Sequence, residues 1–350
     1  MSRFFSSRFD RLTPYTPGEQ PVDKQYVKLN TNESPFPPSD KAVAAAEAEL
    51  RALKLYPDPT CGKLRAALAN TFGVTPNRVL VGNGSDEVLS FAFMAYGDGG
   101  VAYPDITYGF YRVFADLYGL DALEIPLKED FTIDVEAYKG LGRTIFIANP
   151  NAPTGIPLSV EQVESIVAAN PDTVVVIDEA YVDFGGESAV PLTDKYDNLL
   201  VVGTFSKSRS MAGARLGYAI GCEALIGDLE TLRYSTNPYN VNRLTLAAGL
   251  GQLADEETTR RSCQTIVDNR AYTAAALEKI GFSVLPSAAN FLFATCPKIA
   301  GKDLYLKLKE RGILVRHFDT PRLTEYNRIT IGSREQMDAL LSAIKTILEA

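Results

Sequence analysis

Residues 198–217 read NLLVVGTFSKSRSMAGARLG: an apolar run that gives way after Gly203 to hydroxyls and one lysine, with an arginine eight residues beyond it. A run apolar at every position, rather than at alternate ones, is the pattern of a strand covered on both faces, as inside a parallel sheet. Thr204, Ser206, Lys207 and Arg215 therefore stand where a buried strand ends, and the stretch bears on fold and chemistry together.

Working outward, three more apolar runs break in the same way. RVLV (78–81) precedes GNGSDE (82–87), TIFIA (144–148) precedes NPNAPTG (149–155), and TVVVI (173–177) precedes DEAY (178–181). Between them lie amphipathic segments such as SDEVLSFAFMAYG and VEQVESIVAAN. This alternation predicts an α/β fold with a mostly parallel central sheet and helices on both faces. After residue 222 the pattern changes to a long helical stretch near 254–280, short strands (FSVLP, NFLFAT, ILVRH, NRITI) and further helices, which predicts a smaller α+β domain. The proline-rich first 40 residues read as an arm. The expected divisions are 1–40 as an arm belonging to the small domain, 41–253 as the large domain and 254–350 as the small C-terminal domain.

Composition prunes the chemistry. The 350 residues are 46% hydrophobic, enough for a large core, and carry a formal net charge of −8, which argues against a nucleic-acid surface and for small-molecule or protein partners. The start, MSRFFSSRFDRL, has no apolar signal core, and no run of 18 apolar residues occurs, so the expectation is a cytoplasmic protein without a membrane partner. Cys61, Cys222, Cys263 and Cys296 are widely separated with no C-x-x-C pair, and read as core thiols rather than a zinc site. His317 is the only histidine, which excludes a Ser/His/Asp triad or a multi-histidine metal centre elsewhere in the chain; it reads as a strand-end residue. Lysine, carboxylate and tyrosine chemistry remain.

In a parallel sheet the four polar stretches share one rim, where open α/β sheets bind ligands. Gly84, Ser85 and Asp86 open a strand-to-helix turn that serves either as a phosphate cup or as a plain N-cap. Thr204, Ser206 and Arg215 add two hydroxyls and a guanidinium suited to a phosphate, which would place Lys207 beside a phosphate-bearing group. Asp178, after a buried strand, needs a cationic partner. A protonated pyridine nitrogen is one; a helix cap or an arginine is the alternative. Tyr181, three residues on, is placed to bond a ring hydroxyl.

NPNAPTG, DEAYVDF and TFSKSRSMAGARLGY, in this order, resemble the fold type I pyridoxal phosphate aminotransferases over essentially the whole chain. RLTPYTPG, LNTNESPFPP and YPDP further resemble the histidinol-phosphate aminotransferase branch. The resemblance implies pyridoxal 5'-phosphate as cofactor, Lys207 as its Schiff-base residue and acid/base, Asp178 on the pyridine nitrogen, and Tyr181 on the phenolic oxygen. Tyr108 would stack on the ring, while Gly84, Ser85, Thr204, Ser206 and Arg215 hold the phosphate and Asp86 belongs to the cofactor-binding set. Tyr56 of YPDP would reach the neighbouring subunit's phosphate, implying a homodimer. Arg328, Arg316, Tyr15 and Asn32 would line the substrate end. Many members have asparagine where this chain has Ala152; either Asn151, one residue earlier, compensates or the ring oxygen relies on Tyr181 alone. The implied reaction is transamination between histidinol phosphate and 2-oxoglutarate. The rivals are a threonine-phosphate decarboxylase-like enzyme, an aromatic or other amino acid aminotransferase, a non-catalytic cofactor-binding sensor, and a cofactor-free Ser206/Lys207 hydrolase.

Overall fold

A computed structural model describes residues 2–10 and 12–349. A seven-stranded sheet runs, in spatial order, Val79–Gly82, Gly217–Ile220, Leu199–Thr204, Val175–Asp178, Thr144–Ala148, Val101–Pro104 and Ala122–Ile125. Gly217–Ile220 is antiparallel to both of its neighbours, and the other pairings are parallel. Every residue of Leu199–Thr204, Val175–Asp178 and Thr144–Ala148 is buried, as the all-apolar runs predict. Helices cover both faces, with one core built around residues such as Ile145, Ile177 and Val201 and another around Phe146, Val176 and Val202. Strand alternation explains the split, because neighbouring residues on one strand face opposite sides.

A four-stranded antiparallel sheet orders Arg316–His317, Tyr326–Thr330, Phe291–Thr295 and Ser283–Val284, and packs against helices Glu256–Lys279, Gly301–Glu310 and Arg334–Glu349. Its core takes in Leu29 from the N-terminal arm, and Val27–Lys28 pairs in parallel with Ile313–Leu314. The arm is thus stitched to the C-terminal sheet by backbone bonds and apolar burial together. None of the helices is long and apolar enough to cross a membrane among the described residues.

Two glycines shape the rim. Gly84 precedes helix Ser85–Tyr96 with φ at 81°, a left-handed conformation, and a Cβ there would lie 2.6 Å from an Arg215 guanidinium nitrogen. At Gly217 a Cβ would collide with the Ser85 backbone nitrogen. The strand that follows Arg215 therefore packs directly on the turn that opens the helix.

Candidate active site

The ends of Val79–Gly82, Thr144–Ala148, Val175–Asp178 and Leu199–Thr204 meet at one rim, and a cleft opens there between the two sheets. It has two lobes. The first, of about 450 Å³, is lined by Ser85, Asp86, Tyr108, Asp178, Thr204, Ser206, Lys207 and Arg215 among others. The second, of about 480 Å³, takes in Tyr15, Asn32, Arg316 and Arg328. Tyr108, Ala152, Tyr181 and Lys207 border both, so the lysine stands at the junction.

In the first lobe, Asp178 is 4% exposed. Its carboxylate accepts from the Tyr111 hydroxyl (3.1 Å) and the Ala180 amide (3.2 Å), yet burial pushes its pKa up to about 7. A carboxyl so placed is poised for a buried cationic partner, which would bring that value back down. Lys207 donates to the Thr31 carbonyl at 3.3 Å, with its nitrogen 5.9 Å from the centre of the Tyr181 ring.

Around the helix start, Thr204 Oγ1 lies 3.0 Å from Ser206 Oγ, and the Arg215 guanidinium reaches Asp86 at 2.9 Å. Arg215 itself is in the left-handed region (φ 56°), a sparsely populated conformation for a non-glycine residue. Tyr108 donates to Asp86 at 2.7 Å and sets its ring edge-on to Tyr111, 5.7 Å between centres. Helix N-terminus, two hydroxyls and a guanidinium form an anion cradle, while Asp178 offers a carboxylate to a cation deeper in the same lobe. A phosphorylated, protonated heteroaromatic aldehyde fits these donors and Lys207.

In the second lobe, the Arg328 guanidinium lies against Phe291 and Phe318, donates to the Asn30 carbonyl (3.1 Å), and leaves its Nε without a partner. Burial lowers its pKa. Arg316 donates to the Thr16 and Pro17 carbonyls of the arm. Neither arginine forms an ion pair among the described residues, and the Asp105 and Glu124 carboxylates that also line the lobe pair with Arg322 and Arg112, which leaves two guanidinia suited to an anionic substrate. Tyr15 reaches in from the arm and stacks on Phe110, 4.5 Å between centres.

Two candidates stand differently from expectation. Asn151 lines neither lobe: its amide donates to the Ile106 carbonyl (3.0 Å) and Thr154 Oγ1 (3.2 Å), and its oxygen accepts from Thr107 (2.8 Å). It holds the loop behind the cleft and does not compensate for Ala152. Asn32 lines the second lobe but is 1% exposed, with its side chain bonded to Thr330 and Tyr181 rather than open to a ligand. Tyr56 is 77% exposed, stacks on Tyr239 and lies outside its own chain's cleft. His317 has its ring against Tyr305, at the edge of the small sheet. Three of the four cysteines are buried and all are free. Sequence reasoning missed Tyr111; its spacing of three from Tyr108 at a helix start was the available signal.

The sequence matches the family described as "Aminotransferase class I and II" over residues 24–344. It is 49% identical to a histidinol-phosphate aminotransferase of Brachyspira hyodysenteriae, with 100% of both chains aligned. To a histidinol-phosphate aminotransferase of Marinomonas sp. it is 50% identical, with 99% of this chain and 100% of the relative covered. The fold superimposes with a TM-score of 0.84 on the histidinol-phosphate aminotransferase of Sinorhizobium meliloti in complex with pyridoxal-5'-phosphate, at 24% identity, covering 93% of this chain and 92% of that one. With its four polar loops on one rim and this match across nearly its whole length, the chain belongs to the class I and II aminotransferases.

Proposed function

We propose that the chain transfers the amino group of histidinol phosphate to 2-oxoglutarate, with pyridoxal 5'-phosphate in the first lobe. The observation that carries this is the placement of Lys207 where a cofactor lobe with a high-pKa carboxyl meets an unneutralised arginine lobe. The names of the relatives at 49% and 50% identity favour this substrate over the decarboxylase and the other aminotransferases.

When bound, the cofactor supplies an aldehyde that condenses with amines and a protonated ring that accepts the electron pair released at the substrate carbon. Ser85, Thr204, Ser206 and Arg215, at the turn after Gly84, hold its phosphate, with Asp86 orienting Arg215. Asp178 would accept the hydrogen bond of the ring nitrogen and keep that proton in place; Tyr111 orients the carboxylate. Tyr108 covers the ring face. Lys207 would hold the aldehyde, and its amine would move the proton at the substrate carbon. Arg316 and Arg328 hold the substrate phosphate and, in the second half of a ping-pong cycle, a carboxylate of the keto acid. Tyr15 closes the substrate end.

A homodimer completes the site in this reading, with Tyr56 reaching the partner's phosphate cradle. Its support is the exposed apolar surface of Leu50, Leu53 and Leu55 beside Tyr56. Residues 1–40 and 254–350 would move together as a small domain on the large domain of 41–253, because Val27 pairs with Ile313 and Leu29 enters the C-terminal core. We place the enzyme in the cytoplasm. The direct test is glutamate formation from histidinol phosphate and 2-oxoglutarate by the purified, cofactor-loaded protein. Glutamate formed only from another amine overturns the substrate, and carbon dioxide release without glutamate points to the decarboxylase.

A further inference from the structure

At Ala152 this cleft presents only a methyl group, packed with Ala289, Phe291 and the Tyr181 ring. The Tyr181 hydroxyl finds its protein partner elsewhere, in Asn32, whose Nδ2 lies 3.0 Å away. The polarity of that bond follows from its neighbours. The backbone N–H of Asn32 donates to Thr330 Oγ1 at 3.0 Å. Thr330, an acceptor there, has its own hydrogen free for Asn32 Oδ1, also at 3.0 Å. With Oδ1 so held, Nδ2 faces Tyr181 and donates to it. An oxygen that receives an N–H sends its own hydrogen elsewhere, and for Tyr181 the open side is the cleft.

The relay is anchored at both ends. Asn32 adopts the left-handed conformation (φ 55°), which asparagine tolerates better than most residues, and Asn290 donates to its carbonyl at 3.0 Å. Thr330 ends one small-sheet strand and Asn290 immediately precedes another, so that sheet dictates a proton's direction in the large-sheet cleft.

We propose that Asn32 is a positioning residue which, fixed by Thr330, forces the Tyr181 hydroxyl to act as a hydrogen-bond donor into the cleft, toward an anionic aryl oxygen of the ligand. This rests on the cofactor reading above and takes Asn32 out of the substrate-contacting set. A donor to an anionic oxygen favours the deprotonated form of the group it bonds. With the cofactor bound, the relay would therefore lower the pH at which the group that Tyr181 bonds ionises.

The test is a pH titration of the visible absorption of the cofactor-loaded protein. Asn32→Gly removes the amide while allowing the positive φ, and Tyr181→Phe removes the donor. Each is expected to raise the midpoint, by about one pH unit, and Asn32→Gly is expected to add nothing in the Tyr181→Phe background. Lys207 and Arg328 act directly on Tyr181, and Glu33, Asp86, Asp178 and Arg215 line the same lobe; all are retained in these variants. An unchanged midpoint in Asn32→Gly, with a raised one in Tyr181→Phe, overturns the proposal and leaves the cofactor reading standing. Equal shifts by Asn32→Gly in both backgrounds overturn it as well, because the effect would then bypass Tyr181. Absence of any lysine-bound absorption in the parent protein overturns the reading beneath it. If Asn32→Gly does not fold, the near-isosteric Thr330→Val, which frees the amide to rotate, is expected to shift the midpoint in the same direction; no shift there counts against the relay.

Discussion

The Tyr111 hydroxyl donates to the Asp178 carboxylate across 3.1 Å, and burial nevertheless holds that carboxyl's pKa at about 7. One hydroxyl and one amide do not replace the water lost at the bottom of a cleft.

This has a measurable cost in the cofactor-free protein. A carboxyl whose folded pKa is raised contributes most to stability when protonated, and that contribution is lost as pH rises from its unfolded value near 4 toward 7. Asp178→Asn, neutral at every pH, is expected to exceed the parent in stability above pH 7, by up to about 4 kcal/mol, and to lose that advantage near pH 4. Urea unfolding of the cofactor-free proteins across pH checks this; a pH-independent difference would contradict it.

Loading the cofactor is expected to reverse the ranking. The same substitution leaves the ring nitrogen without a carboxylate partner, so Asp178→Asn should bind the cofactor less tightly and turn over more slowly by about 10²-fold or more. Cofactor titration and single-turnover rates read the two effects separately.

Arg328 is expected to act on substrate binding. Its half-buried guanidinium packs against Phe291 and Phe318 with no carboxylate partner, so Arg328→Ala should weaken anionic substrates by about 2–5 kcal/mol, read in kcat/KM. Arg328→Lys should recover only part of this, because an ammonium cannot reproduce a planar two-point contact.

Subunit mixing tests the place of Tyr56. Lys207→Ala and Tyr56→Ala are each expected to be severely impaired alone. A mixed dimer would have one intact cleft, combining Lys207 of one chain with Tyr56 of the other, so random mixing at equal amounts should restore about a quarter of parental activity. No recovery would show that Tyr56 does not serve a neighbouring cleft.

Much of this was legible in the sequence. Uninterrupted apolar runs located the central strands, and the polar residues after them marked the rim, because a buried parallel strand leaves little doubt about where it ends. The antiparallel strand Gly217–Ile220 was legible only as a strand, since its direction depends on whether residues 205–216 double back or cross over the sheet. Side-chain direction was harder still. Asn151 and Asn32 have the right chemistry and the right neighbourhood, yet one braces a loop and the other bonds Tyr181 and Thr330. Tyr111 escaped notice because its hydroxyl meets Asp178 only once helix Phe110–Tyr118 packs on the sheet. Bonds made across long separations leave no periodic trace in a single sequence.

The most direct measurement is a titration of the cofactor-loaded protein with histidinol phosphate alone, followed by visible absorption, with Lys207→Ala in parallel. Conversion of the lysine-bound cofactor to its aminated form at stoichiometric donor, with at least a 10³-fold slower conversion in Lys207→Ala, is the expected result. Visible absorption that histidinol phosphate leaves unchanged while another amine discharges it, or normal conversion in Lys207→Ala, would contradict the proposal that Lys207 drives transamination of this donor.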